Sequence, residues 1–574
     1  MAVDVSIRIG GKAGQGMQAI SSTMGKIFTR QGYWTFIHQD VESRIRGGHN
    51  YAQVRIKDEP VCAIQDAVHL LIALDPEIVE QDRASLVEQG VLIFDSEGTR
   101  FRSDNPHHVS VPMERLAREA GGSQIMMNSV ATGAALALMG QDLQPLLDHL
   151  EEEFRGKGRE VAEKNKSSAQ AGYLHVQQTS RVQGLCAIPP QPRGTARLLL
   201  SGSHAMALGA ICSGLKFYSG YPMSPSTPIM EYVASKQAEL NIILEPAEDE
   251  IAAITMAIGA SFAGVRAMTA TSGGGFCLMV EALGLAGMTE TPVVVVVAQR
   301  GGPSTGLPTR TEQADLRFVM HASQGEFPRA ILAPGHAEQA FYAMAKAFNM
   351  AERYQIPVIV LGDQHLNDSF FTVESLDPVR IPIDRGEILS DDGIPSPEQY
   401  RRYAITPSGI SPRILPGQSK AVLCACSDEH TEEGHISESA EVRKSMMEKR
   451  MRKIEGLRQE MTAPELHPGR PSEVILLGWG STYGALREAT DLLNREGLAT
   501  RMLHFPEIYP FPPLDFLGSI GRNASILAVE GNYTGQFADW FQGETGLPIS
   551  GKILKYDGRP FSPQEIAARV KERL

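Results

Sequence analysis

Val5-Ser6-Ile7-Arg8-Ile9, then Gly10-Gly11-Lys12-Ala13-Gly14-Gln15-Gly16, then an apolar helical pattern over 17–28, reads as strand, glycine turn and helix. β-like runs at 34–37, 51–56, 69–74 and 91–94 alternate with helical stretches after it, the pattern of an α/β layer fold. This first domain is expected to occupy 1–185. A charged stretch over 156–166 and the stiff connector Ile188-Pro189-Pro190-Gln191-Pro192-Arg193-Gly194 mark its end, because proline blocks helix continuation. A second α/β region, 196–377, carries the apolar runs 293–297 and 357–361 as strands and a long helix opening near Glu248. Residues 378–470 read as a proline-rich, charged connecting segment. Residues 471–574 read as a third α/β unit, opening with strand Val474-Ile475-Leu476-Leu477, turn Gly478-Trp479-Gly480-Ser481 and a helix. The expected fold class is α/β throughout, in three domains.

A chain of 574 residues has room for about three or four domains. Its 54 basic against 67 acidic side chains leave a formal charge of −13, which argues against a general nucleic-acid binder, since phosphate contacts need clustered cations. Met1-Ala2-Val3-Asp4-Val5-Ser6 has neither a basic head nor a long apolar stretch, so no secretory signal is expected there. The most apolar run, 293–298, is too short to cross a bilayer, and a cytoplasmic protein away from membranes is expected. Six cysteines (Cys62, Cys186, Cys212, Cys277, Cys424, Cys426) are scattered, with neither a disulfide frame nor iron–sulfur spacing. Cys424-Ala425-Cys426, near His430 and His435, has a tighter gap than a zinc loop uses and reads as a strand end leading into a polar loop. Over 438–460, Arg443, Lys444, Lys449, Arg450, Arg452 and Lys453 could attract an acidic partner. Glu438, Glu441, Glu448, Glu455 and Glu460 dilute that field, so the stretch reads as a solvated helix face.

Three stretches carry the chemistry: Ser219-Gly220-Tyr221-Pro222-Met223-Ser224-Pro225-Ser226-Thr227, Glu248-Asp249-Glu250, and Gln299-Arg300-Gly301-Gly302-Pro303-Ser304-Thr305-Gly306. A buried acid, a hydroxyl-bearing loop and a cation are together what an ylid-forming cofactor bound to a small anionic keto acid needs, so the three read as one half of a thiamine-diphosphate site. Pro222, Pro225 and Pro228 stiffen the first loop and present Ser224, Ser226 and Thr227; Ser226 or Thr227 could equally cap the helix that follows. Glu245, Glu248 and Asp249 suit a helix N-terminus whatever the function, whereas Glu250 adjoins the apolar run and is the acid expected to be partly buried. Arg300 follows the valine run, at the strand end where α/β sheets collect ligands, and its guanidinium could grip a carboxylate; a surface arginine in a flexible loop is the competing reading. Thr271-Ser272-Gly273-Gly274-Gly275 ends another strand in the same way. Glu250, Ser224 and Arg300 are thus the candidate catalytic residues. Glu250, Tyr221, Pro222, Ser272 and Gly273 are candidate cofactor contacts, and Ser224, Arg300 and Thr305 candidate substrate contacts. Gly11, Gly14 and Gly16 invert the dinucleotide fingerprint, so no nicotinamide is inferred, although anion binding at the following helix stays open. Arg44-Ile45-Arg46-Gly47-Gly48-His49-Asn50 could meet phosphates or form salt bridges at a subunit contact.

On these residues the chain resembles the 2-oxoacid:ferredoxin oxidoreductases, specifically the large subunit in which a gamma domain precedes the alpha part. The run from Gly10 to Gly16 and Ile45-Arg46-Gly47-Gly48-His49-Asn50 are similar to gamma-domain motifs. The loop from Tyr221 to Thr227 resembles the family's Tyr-Pro-Ile-Thr-Pro loop, and 299–309 strengthens a match covering nearly the whole chain. Two departures stand out: Met223-Ser224 where Ile-Thr is usual, and Gly202-Ser203-His204-Ala205 where Gly-Asn-Glu-Ala is common.

The resemblance implies a gamma domain, a thiamine-diphosphate pyrimidine-binding domain and a transketolase C-terminal-like domain. It implies that Glu250 hydrogen-bonds the aminopyrimidine ring and favours the imino form that deprotonates the thiazolium carbon, while Ser224 and Arg300 hold the substrate. Oxidative decarboxylation would then pass single electrons through an iron–sulfur cluster to ferredoxin and the acyl group to coenzyme A, a path that can run backwards to fix carbon. The chain lacks the Gly-Asp-Gly motif of thiamine enzymes, for which Gly362-Asp363-Gln364 is no substitute, and it lacks cluster-forming cysteines. A beta subunit bringing Mg2+, the diphosphate-binding half and a [4Fe-4S] cluster is therefore implied, in an (alpha-beta)2 heterotetramer. The preferred substrate is 2-oxoglutarate, giving succinyl-CoA. The alternatives are pyruvate or a branched-chain 2-oxoacid, or a non-catalytic anion-sensing scaffold subunit.

Overall fold

A computed structural model of the chain describes residues 3–44, 47–98, 101–180, 188–189, 197–396, 398–468, 472–521 and 523–574. Cys186, the pair Ile45-Arg46 and the connector residues 190–194 lie outside the described residues. The chain forms two compact units, Met1–Leu200 with Ser369–Ser375, and Ser201–Asp368 with Leu376–Leu574.

The first unit is built on an eight-stranded mixed sheet in the order His108–Ser110, Leu86–Phe94, Val68–Ala73, Asp4–Gly11, Asn50–Lys57, Trp34–Asp40, Phe370–Val373, Leu198–Ser201. The opening strand lies near its centre, parallel to Val68–Ala73 and antiparallel to Asn50–Lys57. After the glycine turn, the helix Met17–Arg30 lays Ile20, Met24, Ile27 and Phe28 into the core, as its apolar spacing requires. Phe370–Val373, read from sequence as part of the second region, joins this sheet instead. Phe371 meets Phe36 edge-on at 5.1 Å, and Thr372 Oγ1 accepts the Thr35 N–H at 2.8 Å.

The second unit holds two sheets. Seven strands run in the order Glu507–Tyr509, Ala330–Leu332, Pro357–Asp363, Val293–Gln299, Arg266–Thr271, Leu215–Gly220, Ile243–Pro246, and all pairs but the first are parallel. Val293–Gln299 is buried along its whole length between two parallel neighbours, which is why its run is continuously apolar rather than alternating. Parallel pairing brings Gly220, Thr271, Gln299 and Asp363 to one edge, the carboxyl edge. Five strands form the other sheet, in the order Glu465–His467, Thr500–Phe505, Val474–Trp479, Ser525–Glu530, Gly551–Leu554, parallel except for the first. Trp479, Phe505, Phe537 and Phe541 share one buried core with the valine strand. Among the described residues no helix is long and apolar enough to cross a membrane.

Three local readings change. The helix expected from Glu248 spans Glu250–Phe262, because Asp249 is its N-cap and accepts the Ala252 N–H on its carboxylate at 2.8 Å. Cys424 and Cys426 end no strand; Cys426 Sγ accepts the Asp428 N–H at 3.3 Å within an irregular loop. The charged stretch forms the helix Ala440–Glu460, but Lys449, Arg450 and Lys453 are buried rather than solvated. Both lysines grip Glu290 and Arg450 grips Glu429, so the balancing acids come from distant parts of the chain, not from the helix's own glutamates. Burial pushes Lys449 down to about 7, while its two ammonium partners hold Glu290 well below the usual carboxylate range.

Candidate active site

Leu215–Gly220, Arg266–Thr271 and Val293–Gln299 lie side by side, so the loops that leave them share one crevice edge. Ser219 Oγ donates to Ala253 O at 2.5 Å and the Ala247 N–H to Gly220 O at 3.0 Å, pinning the head of the helix Glu250–Phe262 against the first strand. Glu250 is therefore 2% exposed, and its Oε1 has no hydrogen-bond partner among the described residues. A Cβ built on Gly275 would lie 2.3 Å from that Oε1 and 2.1 Å from Thr271 Oγ1, so only glycine admits both polar groups to the first turn of the helix Gly273–Met288. Thr271 Oγ1 faces Met223 Sδ at 3.9 Å. Ser272, the N-cap of that helix, is fully buried with its Oγ also unpartnered. On the other side of the turn, a Cβ on Gly273 would lie 2.1 Å from Asp315 Oδ2. Two carboxylates thus flank one helix head.

Arg300 leaves the valine strand and donates from Nη1 to Ser224 O at 2.8 Å, which joins two of the three predicted stretches. The contact uses the Ser224 carbonyl; Ser224 itself is exposed. Burial lowers the Arg300 guanidinium's proton affinity and Asp315 opposes that. Asp315 is pushed up to about 6 by burial, with Arg300 pulling it down, and Glu312 is pushed up to about 7 by burial and by Asp315. Tyr221, Pro222 and Thr305 are exposed on the two loops. Ser226 does not cap the helix Thr227–Leu240: its hydroxyl donates back to Met223 O at 2.7 Å. His204, standing where an acid is common, has its N–H and ring held by Ser201 Oγ at 3.1 and 2.9 Å.

In the first unit the glycine turn and the second glycine stretch meet, the Ala13 N–H donating to Gly47 O at 3.4 Å. Lys12 pairs with Asp75 at 3.0 Å and Arg44 with Glu42 at 3.0 Å. Sequence reasoning missed Thr271, Glu312, Asp315 and the need for glycine at 275. Each matters through a partner elsewhere in the fold: the run from Thr271 to Gly275 declared a glycine-rich strand end but not its contacts, and Glu312 and Asp315 show only as two acids ahead of an apolar residue.

Residues 208–449 match the family model described as pyruvate flavodoxin/ferredoxin oxidoreductase, thiamine diP-binding, and residues 6–174 match that described as pyruvate ferredoxin/flavodoxin oxidoreductase. Fold and matches define an α/β oxidoreductase subunit dependent on thiamine diphosphate. The 2-oxoacid:ferredoxin oxidoreductase subunit alpha of Saccharolobus solfataricus is 32% identical over 99% of this chain and 97% of the relative. The 2-oxoglutarate oxidoreductase subunit KorA of Mycobacterium tuberculosis is 30% identical over 100% and 92%. A solved structure, 2-oxoglutarate:ferredoxin oxidoreductase from Magnetococcus marinus with 2-oxoglutarate, coenzyme A and succinyl-CoA bound, superposes with a TM-score of 0.91 at 32% identity, covering 100% of this chain and 99% of that one. The chain belongs to the 2-oxoacid:ferredoxin oxidoreductase family, as an alpha subunit.

Proposed function

We propose that this subunit, closed by a second polypeptide, catalyses the reversible oxidative decarboxylation of 2-oxoglutarate. One 2-oxoglutarate, one coenzyme A and two oxidised ferredoxins would give succinyl-CoA, carbon dioxide, one proton and two reduced ferredoxins. The names of the Mycobacterium and Magnetococcus proteins favour 2-oxoglutarate over pyruvate or a branched-chain 2-oxoacid. The observation that carries the reading is the buried, unpartnered Glu250 Oε1 set in the cradle of Gly275. An isolated acceptor of that kind is costly unless a ligand completes it.

Thiamine diphosphate, when bound, supplies the carbon nucleophile and electron sink that a 2-oxoacid needs to lose carbon dioxide. The residues present fit it: Glu250 would hold the aminopyrimidine and exchange a proton at Oε1, and Ser272 offers a second unpartnered oxygen at the same helix head. The Gly273 amide, Tyr221 and Pro222 would line the ring. Arg300, Ser224 and Thr305 would hold the keto acid, the planar guanidinium keeping donors for a carboxylate beyond its bond to Ser224 O.

In this reading a beta subunit would bring Mg2+, the diphosphate-binding half and a [4Fe-4S] cluster, in an (alpha-beta)2 assembly that passes electrons to ferredoxin; the missing Gly-Asp-Gly motif and cluster cysteines support it. Ile251, Leu278 and Leu307, exposed apolar residues around the site, are the surface such a partner would cover. The proposed division is a gamma domain over 1–185, a pyrimidine-binding domain over 196–377 apart from the strands Leu198–Ser201 and Phe370–Val373 that complete the first sheet, a connecting segment over 378–470 and a transketolase C-terminal-like domain over 471–574. Cys212, Cys277, Cys424 and Cys426 as free thiols suit the reducing cytoplasm, the compartment proposed for the protein. The test is anaerobic, CoA-dependent reduction of a low-potential acceptor by the chain purified with its partner. It should proceed best with 2-oxoglutarate and vanish in a Glu250→Gln complex that still assembles. Undiminished turnover in that variant would instead favour the scaffold reading.

A further inference from the structure

The five-stranded sheet reverses its strand order beside Val474–Trp479, whose chain successor Thr500–Phe505 lies on one side and Ser525–Glu530 on the other. The carboxyl ends of two such strands form the crevice in which open α/β sheets take their ligands. Here a segment of the same chain fills it. Gln313, 2% exposed, donates its backbone N–H to Gly531 O at 2.6 Å, accepts the Gly531 N–H on Oε1 at 2.9 Å, and donates from Nε2 to Trp479 O at 2.9 Å. Its carbonyl accepts Asn532 Nδ2 at 3.1 Å. The space left beside it is small, about 20 Å3. Gln536 extends the clamp, donating from Nε2 to Ala314 O at 2.7 Å and accepting the Arg317 N–H on Oε1 at 2.8 Å.

The far end of this segment belongs to the candidate active site. The Asp315 N–H donates to Gln299 Oε1 at 3.0 Å, and Gln299 in turn donates from Nε2 to Gly362 O at 3.0 Å. The loop that begins with Arg300 is closed on itself by Leu307 N–H to Gly301 O at 2.8 Å. Its two ends are therefore tied to each other and, through Gln313, to the C-terminal sheet.

We propose that Gln313 is a positioning residue: seated in the switch-point crevice, it fixes the neck of the 299–315 loop and so holds Arg300 where the keto-acid carboxylate binds. The C-terminal sheet then acts on the reaction through a peptide of its own chain rather than through a ligand site. This rests on the reading of Arg300 as the substrate cation.

The test uses the enzyme assembled with its beta subunit. Gln313→Ala is expected to raise the keto-acid KM about tenfold, the scale of a small misplacement of a binding group, with kcat and thiamine-diphosphate affinity within about twofold of the parent. Combined with Arg300→Lys it should add little to that variant's own KM increase, because both changes act on one contact. Gln536→Ala, which loosens the same segment from its outer side, should raise KM about threefold and carries the test if Gln313→Ala does not fold. Loss of kcat and cofactor affinity in step with KM, or multiplying effects in the double variant, would overturn the proposal. Arg300→Lys raising KM while both glutamine variants behave as the parent would overturn it alone. An unchanged KM in Arg300→Lys would overturn the reading of Arg300 as well.

Discussion

Glu250 and Glu530 are both buried glutamates at the carboxyl edges of parallel sheets, yet they end in opposite states. Glu530 closes a strand of the five-stranded sheet and accepts four donors: the Phe537 and Ala538 N–H groups at 2.9 and 2.8 Å, Asn532 Nδ2 at 2.9 Å and Trp479 Nε1 at 3.3 Å. Glu250 opens a helix of the seven-stranded sheet and keeps Oε1 without a partner. One edge is filled by Gln313, the other holds two unmatched buried oxygens. Shared architecture therefore does not give shared matching: Glu530 is satisfied within the chain, whereas Glu250 Oε1 and Ser272 Oγ are not.

That contrast can be pressed with other matched carboxylates. Glu290→Ala leaves Lys449 and Lys453 buried without their carboxylate partner, and a loss of about 3–5 kcal/mol is expected in denaturant unfolding, the largest effect among these substitutions. A change under about 1 kcal/mol would show that the cluster hydrates freely and that burial is a poor guide to matching. Glu530→Gln keeps the shape but loses the charge that receives two helix-head amides, so about 1–3 kcal/mol of stability should go. Turnover per folded complex should stay near that of the parent. A selective loss of turnover would place Glu530 in the chemistry.

Proton linkage sharpens the contrast at the open edge. Burial holds Asp315 at about 6 and Glu312 at about 7, above their ordinary values of 3.8 and 4.5. The folded chain then binds more protons than the unfolded one between about pH 4 and 7. The contribution of these groups is fully present below that window and is lost as pH rises through it. Urea midpoints of Asp315→Asn should fall less across the window than those of the parent, and an equal or steeper fall would show that the pair does not titrate as described. The smallest effect is expected at Asp249→Ala, which removes one N-cap bond for about 1 kcal/mol of stability. The keto-acid KM should not move, because the cap lies on the structural side of the helix head.

The fold was legible where a run of residues declares its own burial. The strand 293–299 follows from its short unbroken run of β-branched residues, and the strand, glycine turn and helix at 4–30 from the glycines and the apolar spacing that follows them. Glu250, Ser224 and Arg300 were legible as neighbours of strand ends, and the structure brings Arg300 to the Ser224 carbonyl and buries Glu250. What stayed hidden depends on contacts between distant residues. Asp315 becomes part of the site only through Gly273, and Glu250 stays buried only because position 275 has no side chain. The Ala440–Glu460 helix looked solvated because its buried cations find their acids in Glu290 and Glu429, outside the local pattern. Phe370–Val373 looked like part of the second region, yet it pairs with Trp34–Asp40.

The most direct measurement is a structure of this chain assembled with its partner subunit and thiamine diphosphate. Expected is the aminopyrimidine ring within hydrogen-bonding reach of Glu250 Oε1, with Gly275 behind the carboxylate and Ser272 beside it. A cofactor bound elsewhere, with Glu250 Oε1 turned to bulk water or bonded to another side chain, would contradict the assignment of this edge as the catalytic one.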